Sequence, residues 1–245
     1  MASPCLNVVW TASGTDANDY LSVHFRYVPT ITSLNYRQPR LTGVFIEECN
    51  VLTTVTLPNC TTIEGYGNTD FLSIEPIQIG FNDLLASISF SALTTLRTGF
   101  YIVNNPVLTS VDFSALTTID IRTLALANTT SSLSSNASLT SVSFPALTTI
   151  TKSAGVSGAL SIASNVALTS ISIPVLTVPD GFRFIFTNNA LTEASVDHVL
   201  ARCVANAGFV SGRVDLNGGT NAVPSATGLA DKATLIGRGV TVNTN

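Results

Sequence analysis

The sequence predicts a β-rich solenoid, a right-handed coil whose short parallel strands stack into a sheet, with helix-backed α/β capping turns at its carboxyl end. Three observations support this prediction. A twelve-residue motif returns along the chain, an alternating apolar pair followed by asparagine precedes most copies, and the Thr-rich pattern becomes helical after Leu191. Repeats of this size cannot each close a core alone, so we expect them to stack.

The motif is clearest as LTSVDFSALTTI at 108–119 and LTSVSFPALTTI at 139–150. Further copies occupy 52–63, 85–96 and 168–179, and a degraded copy, ITSLNY, begins at Ile31. Leucine, valine, phenylalanine and isoleucine keep fixed places in the copies, so each copy predicts one similar coil.

An alternating apolar pair and an asparagine mark the predicted strands: Ile77, Ile79 and Asn82; Phe100, Ile102 and Asn105; Leu160, Ile162 and Asn165. This is the spacing of a leucine-rich repeat. Both apolar side chains of such a strand point inwards, and the asparagine amide can satisfy buried turn backbone. Cys49 takes the asparagine's place at 44–52, and Cys60 takes the place of a core leucine, so both are predicted to be buried.

The first inward residues of the strands are predicted at Leu21, Val44, Ile77, Phe100, Leu124, Leu160, Phe184, Val214 and Val240. Most steps are 23–24 residues. The two longer steps place insertions at 64–76 and at 127–136 together with 151–158. We therefore divide the chain into an amino-terminal cap at 1–30, irregular repeats at 31–190 and α/β capping turns of the same solenoid at 191–245.

Two helices are predicted in the tail. The first places Val196, Val199, Leu200, Cys203 and Val204 on one face, with Thr192 as N-cap and Gly208 as its stop. The second opens near Pro224 and is predicted to turn Leu229, Ala233 and Ile236 inwards. Strands follow each helix, at 213–216 and at 240–243.

The repeats resemble the Thr/Ser-rich, irregular leucine-rich repeats of receptor L-domain-like and bacterial surface proteins. The tail, from LTEASVDHVLARCVANAG onwards, resembles a module that often ends such repeats in phage structural and tail proteins. The resemblance covers roughly 31–245, and it implies a solenoid with a role in a virion. It carries no catalytic residue over to this chain.

The amino-acid composition limits the classes of partner that this protein can bind. Only 11% of the residues are charged, against roughly 25% in an average soluble protein, and the net charge is −4. We therefore expect no nucleic-acid partner, and no segment is long and apolar enough for membrane insertion. The start, MASPCLNVVWTASG, lacks the pattern of a signal peptide, so either a leader has been trimmed or the protein reaches its destination without one.

No motif predicts catalysis, a cofactor or a metal. Ser195, Asp197 and His198 are too close together on one helix to form a catalytic relay, and His198 is expected on a solvated face. The glycines of the tail match no phosphate-binding loop. We therefore predict a protein that is not an enzyme.

The candidate interaction residues are Tyr66, Asp70, Phe71 and Glu75 in the first insertion and Phe45 and Tyr101 on the outward strand face. Insertions of a solenoid become edge loops, which often bind ligands. The loop at 64–76 has an alternative explanation as a drifted insertion whose Phe71 packs onto the core.

Two columns of threonine offer a further surface: Thr53, Thr109, Thr140 and Thr169, and Thr62, Thr95, Thr118 and Thr149. Outward threonine columns are compatible with an ice-binding face, or simply with β-branched residues that suit exposed extended backbone.

These features predict a non-catalytic structural or recognition protein at a virion surface, in the tail, fibre or capsid decoration of a phage. Its partners would be other virion subunits or a host surface protein or glycan, within a larger assembly or homo-oligomer. The alternative is an extracellular or cell-surface bacterial leucine-rich-repeat adhesin.

Overall fold

The computed structural model describes residues 21–64, 77–97, 99–121, 130–152 and 158–245. Within these ranges the chain forms 19 short strands and two helices, and the strands pair in parallel. Up to the strand Arg183–Ile185, successive strands along the chain belong to different layers, and each pairs with the equivalent strand of the neighbouring coil. This is the β-rich solenoid that the repeats predict.

The front sheet contains the strands that carry the alternating apolar pair, together with two strands that each have a single apolar residue. They are β1 (Leu21–Arg26), β3 (Arg40–Glu47), β6 (Ile77–Gly80), β9 (Phe100–Val103), β12 (Thr130–Ser134), β15 (Ala159–Ala163), β17 (Arg183–Ile185), β18 (Arg213–Leu216) and β19 (Thr241–Thr244). The two with a single apolar residue are β12 and β19. They pair in this order, so neighbouring coils align their inward residues, as Ile79 does with Ile102.

Two side layers complete each coil. The first comprises β2 (Ser33–Asn35), β4 (Thr54–Thr56), β7 (Ser87–Ser89) and β10 (Ser110–Asp112), and then a separate pair, β13 (Ser141–Ser143) and β16 (Ser170–Ser172). The second comprises β5 (Thr62–Ile63), β8 (Thr95–Leu96), β11 (Thr118–Ile121) and β14 (Thr149–Lys152). The long strand β3 joins this second layer to the front sheet, because Arg40 and Leu41 pair with β5 and Val44–Glu47 pair with β6.

The core is continuous and aromatic at its centre. Phe90, Phe113 and Phe144 occupy the same place in three coils and are at most 1% exposed. Their rings stack with centroids 5.4 Å apart at both steps. Burying such rings supplies much of the apolar area that stabilises a fold with few charged residues.

A ladder of buried side chains runs along the corner after the front sheet. Its members are Cys49, Asn82, Asn105, Asn136, Asn165 and Asn189, all at most 1% exposed. The Asn105 carboxamide oxygen accepts the Asn82 backbone N–H at 3.2 Å, and its amide donates to the carbonyls of Ile79 and Val103, each at 3.1 Å. The ladder therefore satisfies backbone groups that burial would otherwise leave unpaired.

The prediction that Leu124 starts the fifth strand of the front sheet is wrong. The strand at that place is β12, in which Leu133 pairs with Ile102 on one side and Ile162 on the other. The proposed insertion 127–136 therefore contains a strand of the front sheet and the ladder residue Asn136. The spacing to asparagine decides the register, because Leu133 stands three residues before it.

The first and last strands need smaller corrections. Val23, rather than Leu21, pairs with Val44, after a register shift near the start of β1. At the other end Val242, rather than Val240, pairs with Val214. The proposed cap at 1–30 falls mostly outside the described residues, and β1 within it pairs like a strand of the front sheet.

Helix α1 (Glu193–Ala205) continues the first side layer. Thr192 is its N-cap and accepts the Ser195 N–H at 3.3 Å, as predicted, whereas the C-cap is Asn206. The Ser195 hydroxyl accepts the Ile171 N–H at 2.9 Å, so the helix covers the edge of β16 with polar side chains.

His198 also faces that edge, so its predicted solvated position is wrong. Its Nε2 accepts the Ile173 N–H at 3.1 Å. An imidazole that accepts through Nε2 is unprotonated there, and burial lowers the pKa of His198 from its ordinary value.

Helix α2 (Ala226–Gly237) packs on α1 in an orientation that the sequence did not predict. Leu235 is buried, whereas the three residues that were predicted to be inward are exposed: Leu229 and Ile236 at 52% each, and Ala233. The reason lies at Gly228: a Cβ there would clash with the Asp197 carboxylate, so α2 approaches α1 through its glycine. None of the helices in the described ranges is long and apolar enough to cross a membrane.

Candidate interaction surface on the front sheet

The outward face of the front sheet brings two of the predicted interaction residues into one row. Phe45 pairs with Gln78, and Gln78 pairs with Tyr101, so both aromatic residues occupy the same register position on strands two steps apart. His24 extends the row on the other side, where its ring stacks on Phe45 with centroids 4.7 Å apart. We call His24, Phe45, Gln78 and Tyr101 the outer row.

Charged side chains lie beside the outer row, two residues further along strands β1 and β3. The Gln78 amide donates to the Glu47 carboxylate. The same carboxylate lies 3.4 Å from the Arg26 guanidinium, which also approaches Glu48 at 3.7 Å. These ion pairs hold the side chains in place more than they stabilise the fold, because the Arg26 side chain is 60% exposed.

The corner after each front strand carries a second column of residues. Tyr27, Glu48 and Phe81 have backbone φ angles of 54°, 55° and 57°. This left-handed conformation is uncommon for residues with a side chain. Tyr27 and Phe81 are 49% and 48% exposed, so the column presents aromatic rings to solvent. We call Tyr27, Glu48 and Phe81 the corner column.

The outer row and the corner column are joined by direct contacts. The Arg26 guanidinium lies over the Tyr27 ring, 4.9 Å from its centroid. A hydrogen bond with Glu48 raises the pKa of the Tyr27 phenol above its usual range. Arg26 therefore connects Glu47, beside the outer row, with Tyr27 in the corner column, and the surface combines aromatic rings with both signs of charge.

Apolar side chains extend this surface beyond the corner. Leu84 is 50% exposed and Val107 is 38% exposed, and both follow a ladder asparagine by two residues. Further along the stack, Ser135 and Ser164 take the places of the corner aromatics, and Ser138 and Ala167 take the places of Leu84 and Val107. The apolar part of the surface is therefore concentrated in the first coils.

The other predicted interaction residues, Tyr66, Asp70, Phe71 and Glu75, lie outside the described residues. Conversely, His24, Tyr27 and Phe81 are interaction candidates that the sequence did not predict. Their signal is positional: His24 shares the register of Phe45, and Tyr27 and Phe81 stand at the residue before a corner.

The first of the two predicted threonine columns, which contains Thr53, Thr109, Thr140 and Thr169, has a structural role. The Thr109 hydroxyl donates to the Ala86 carbonyl at 3.1 Å, and the Thr169 hydroxyl donates to the Thr140 carbonyl at 3.2 Å. A further column, not predicted, repeats this pattern, as when the Thr117 hydroxyl donates to the Thr94 carbonyl at 3.0 Å. These hydroxyls join neighbouring coils.

A groove opens on the first side layer where its strands separate. It has a volume of 270 Å³ and is lined by Ser110, Val111, Asp112, Phe113, Ser114, Ser141, Ser143 and Pro145. Within the described ranges no group of three or more His, Cys, Asp or Glu side chains is arranged to hold a metal ion.

The receptor L domain family model matches residues 59–177, a little under half of the chain. This match supports a receptor L-domain-like fold for the repeats. No curated protein and no solved structure matches the chain. The comparisons give no support to the phage-type or bacterial-surface resemblance, which stays a prediction.

Proposed function

We propose that this protein is a non-catalytic recognition protein that binds a protein ligand at an extracellular or cell-surface location. The observation that carries the proposal is the connected surface of the outer row and the corner column. Gln78, Phe81 and Tyr101 of this surface lie within the receptor L domain match at 59–177, and the other residues precede it. Receptor L domains are, as their name says, domains of receptors.

The chemistry of this surface suits a protein ligand. Exposed tyrosine and phenylalanine contribute large contact areas with few side-chain torsions to order, and such residues are enriched at binding sites. Arg26 and Glu47 add paired charges, which favour specificity over affinity. The proposal needs no cofactor. The tail at 191–245 serves, in this proposal, as the structural end of the solenoid.

The test is a binding screen with the chain displayed in many copies against extracellular and cell-surface proteins. Phe45→Ala and Tyr101→Ala should each weaken a genuine ligand at least about tenfold, because aromatic anchors dominate most interfaces. Val166→Ala is the matched control, since Val166 is 67% exposed and lies on a later coil away from the outer row. A ligand that binds all three variants as well as the parent would refute this surface.

A virion role remains the second candidate, and it rests on the resemblance of the tail. It would make the ligand a host surface protein or glycan, or another virion subunit. Mass spectrometry of purified particles tests it: the protein's presence would support a virion role, and its absence from intact particles would leave the cell-surface location. A loop role for Tyr66 and Phe71 would be tested in the same screen through their alanine variants.

A further inference from the structure

The last helix presents an apolar face to solvent. Leu229 and Ile236 are each 52% exposed. The remaining residues of this face are small, and the whole face comprises Ala226, Leu229, Ala230, Ala233, Ile236 and Gly237, all exposed. Their spacing places them within one side of the helix. Terminal repeats of a solenoid normally carry a polar outer face, whereas this face is apolar.

The front sheet ends beside this helix. β19 is the last strand in the sheet order and pairs only with β18 among the described strands. α2 and β19 are tied together, because Lys232 Nζ donates to the Thr244 hydroxyl at 2.8 Å. An unpaired strand edge readily accepts another strand. Helix and strand therefore form one end face with unmet packing and hydrogen-bonding capacity.

The charge on this end favours a second copy of the chain as the occupant. The apolar face of α2 contains no charged residue. The nearby cations are already engaged, Lys232 with Thr244 and Arg238 with the Val204 carbonyl at 2.8 Å. Two identical faces can therefore meet through uncharged side chains, and the small residues allow the helix backbones to approach closely.

We propose that two copies of this protein associate through this end face about a two-fold axis that runs from the sheet to the helix layer. Such an axis lays α2 antiparallel to α2 of the second copy and, at the same time, β19 antiparallel to β19. In the helix pair Leu229 packs against Ile236 of the second copy, and Ile236 packs against its Leu229. The front sheet continues across the axis, and both outer rows remain accessible. This inference does not depend on the proposed ligand.

Sedimentation velocity at increasing micromolar concentrations tests the association. The parent chain should form a dimer, and Leu229→Lys or Ile236→Lys should raise its dissociation constant at least about 100-fold, because each places a charge in a buried apolar contact. Val166→Lys is the matched control and should leave the dimer intact. Circular dichroism melting should show all three variants folded, since each replaced side chain is more than half exposed.

Cross-linking tests the two-fold geometry. In a Cys5→Ser background, Ala233→Cys lies near the middle of the antiparallel helix pair and should give a covalent dimer on oxidation, whereas Val166→Cys should not. A parent chain that stays monomeric at about 100 µM overturns the proposal. A dimer that survives both lysine substitutions also overturns it, because the copies would then meet elsewhere.

Discussion

At the scale of single residues, the buried asparagines of the corner ladder fix the spacing of the coils. Asn105→Ala should lower the free energy of unfolding by about 3 kcal/mol, because it removes the acceptor of the buried Asn82 N–H and one donor each from the Ile79 and Val103 carbonyls. Asn104→Gly is the neighbouring control and should change stability by less than about 1 kcal/mol, since Asn104 is exposed and already left-handed at φ 54°. Urea denaturation measures both, and equal losses would contradict a role for the buried ladder.

The cysteines of the described chain are built into the core rather than available for chemistry. Burial raises the pKa of Cys60 to about 11 and that of Cys203 to about 12, and it also raises the pKa of Cys49. In a Cys5→Ser variant, none of the three should react with a thiol reagent at mildly alkaline pH until the protein unfolds. Full reaction of one of them under native conditions would show that its coil opens.

At the scale of elements, α1 replaces a strand by presenting side-chain acceptors to the edge of β16. This arrangement makes stability depend on pH through His198, because protonation removes the acceptor of the Ile173 N–H. Burial lowers the folded-state pKa of His198 below its ordinary value of 6.5. The unfolded chain therefore binds more protons below pH 6.5, and the stabilisation, complete above that pH, is lost as the pH falls.

His198→Gln keeps an acceptor but cannot titrate, so it should flatten the fall in melting temperature between about pH 7 and pH 5. The pKa of His24 is lowered by burial as well, so His24→Gln should remove a separate part of the same slope. The result that would contradict the role of His198 is a slope in His198→Gln equal to that of the parent.

An element can be predicted from the sequence when several local patterns agree on its register. Ile79, Ile102 and Ile162 are predictable because apolar alternation and the distance to asparagine agree. Leu133 is not, since alternation favours Leu124 and only the asparagine spacing favours Leu133. The direction of α2 depends on a close approach between Gly228 and Asp197, which no local pattern encodes.

The candidate surface was predicted only in part for a similar reason. Alternation along β3 and β9 is enough to turn Phe45 and Tyr101 outwards. Tyr27 and Phe81 lie in turns, where the sequence pattern gives no facing direction, and only the stacking of coils places them together. Contacts that join separate coils, such as that of Arg26 with Glu47, can be predicted only when the register of the whole stack is known.

At the scale of the whole molecule, each part of the solenoid has a different role. The threonine hydroxyls and the asparagine ladder join the coils, the phenylalanine stack fills the centre, and the front sheet carries the candidate surface. The first side layer is the exception to this regularity. Its strands form two separate sheets, β2–β4–β7–β10 and β13–β16, although the front and second side layers continue past the same point.

This break predicts a local difference in hydrogen exchange. The Phe90 N–H donates to the Asp112 carbonyl at 3.0 Å, and the Phe144 N–H donates to the Ser172 carbonyl at 2.9 Å. Phe113 occupies the same place between them, yet its N–H has no backbone partner in the described part of the chain and lies beside the groove. Its amide should therefore exchange at least about tenfold faster than those of Phe90 and Phe144, although all three side chains are buried. Amide exchange followed by NMR measures the three rates in one experiment. Equal protection would mean that β10 and β13 pair in solution and that the groove closes.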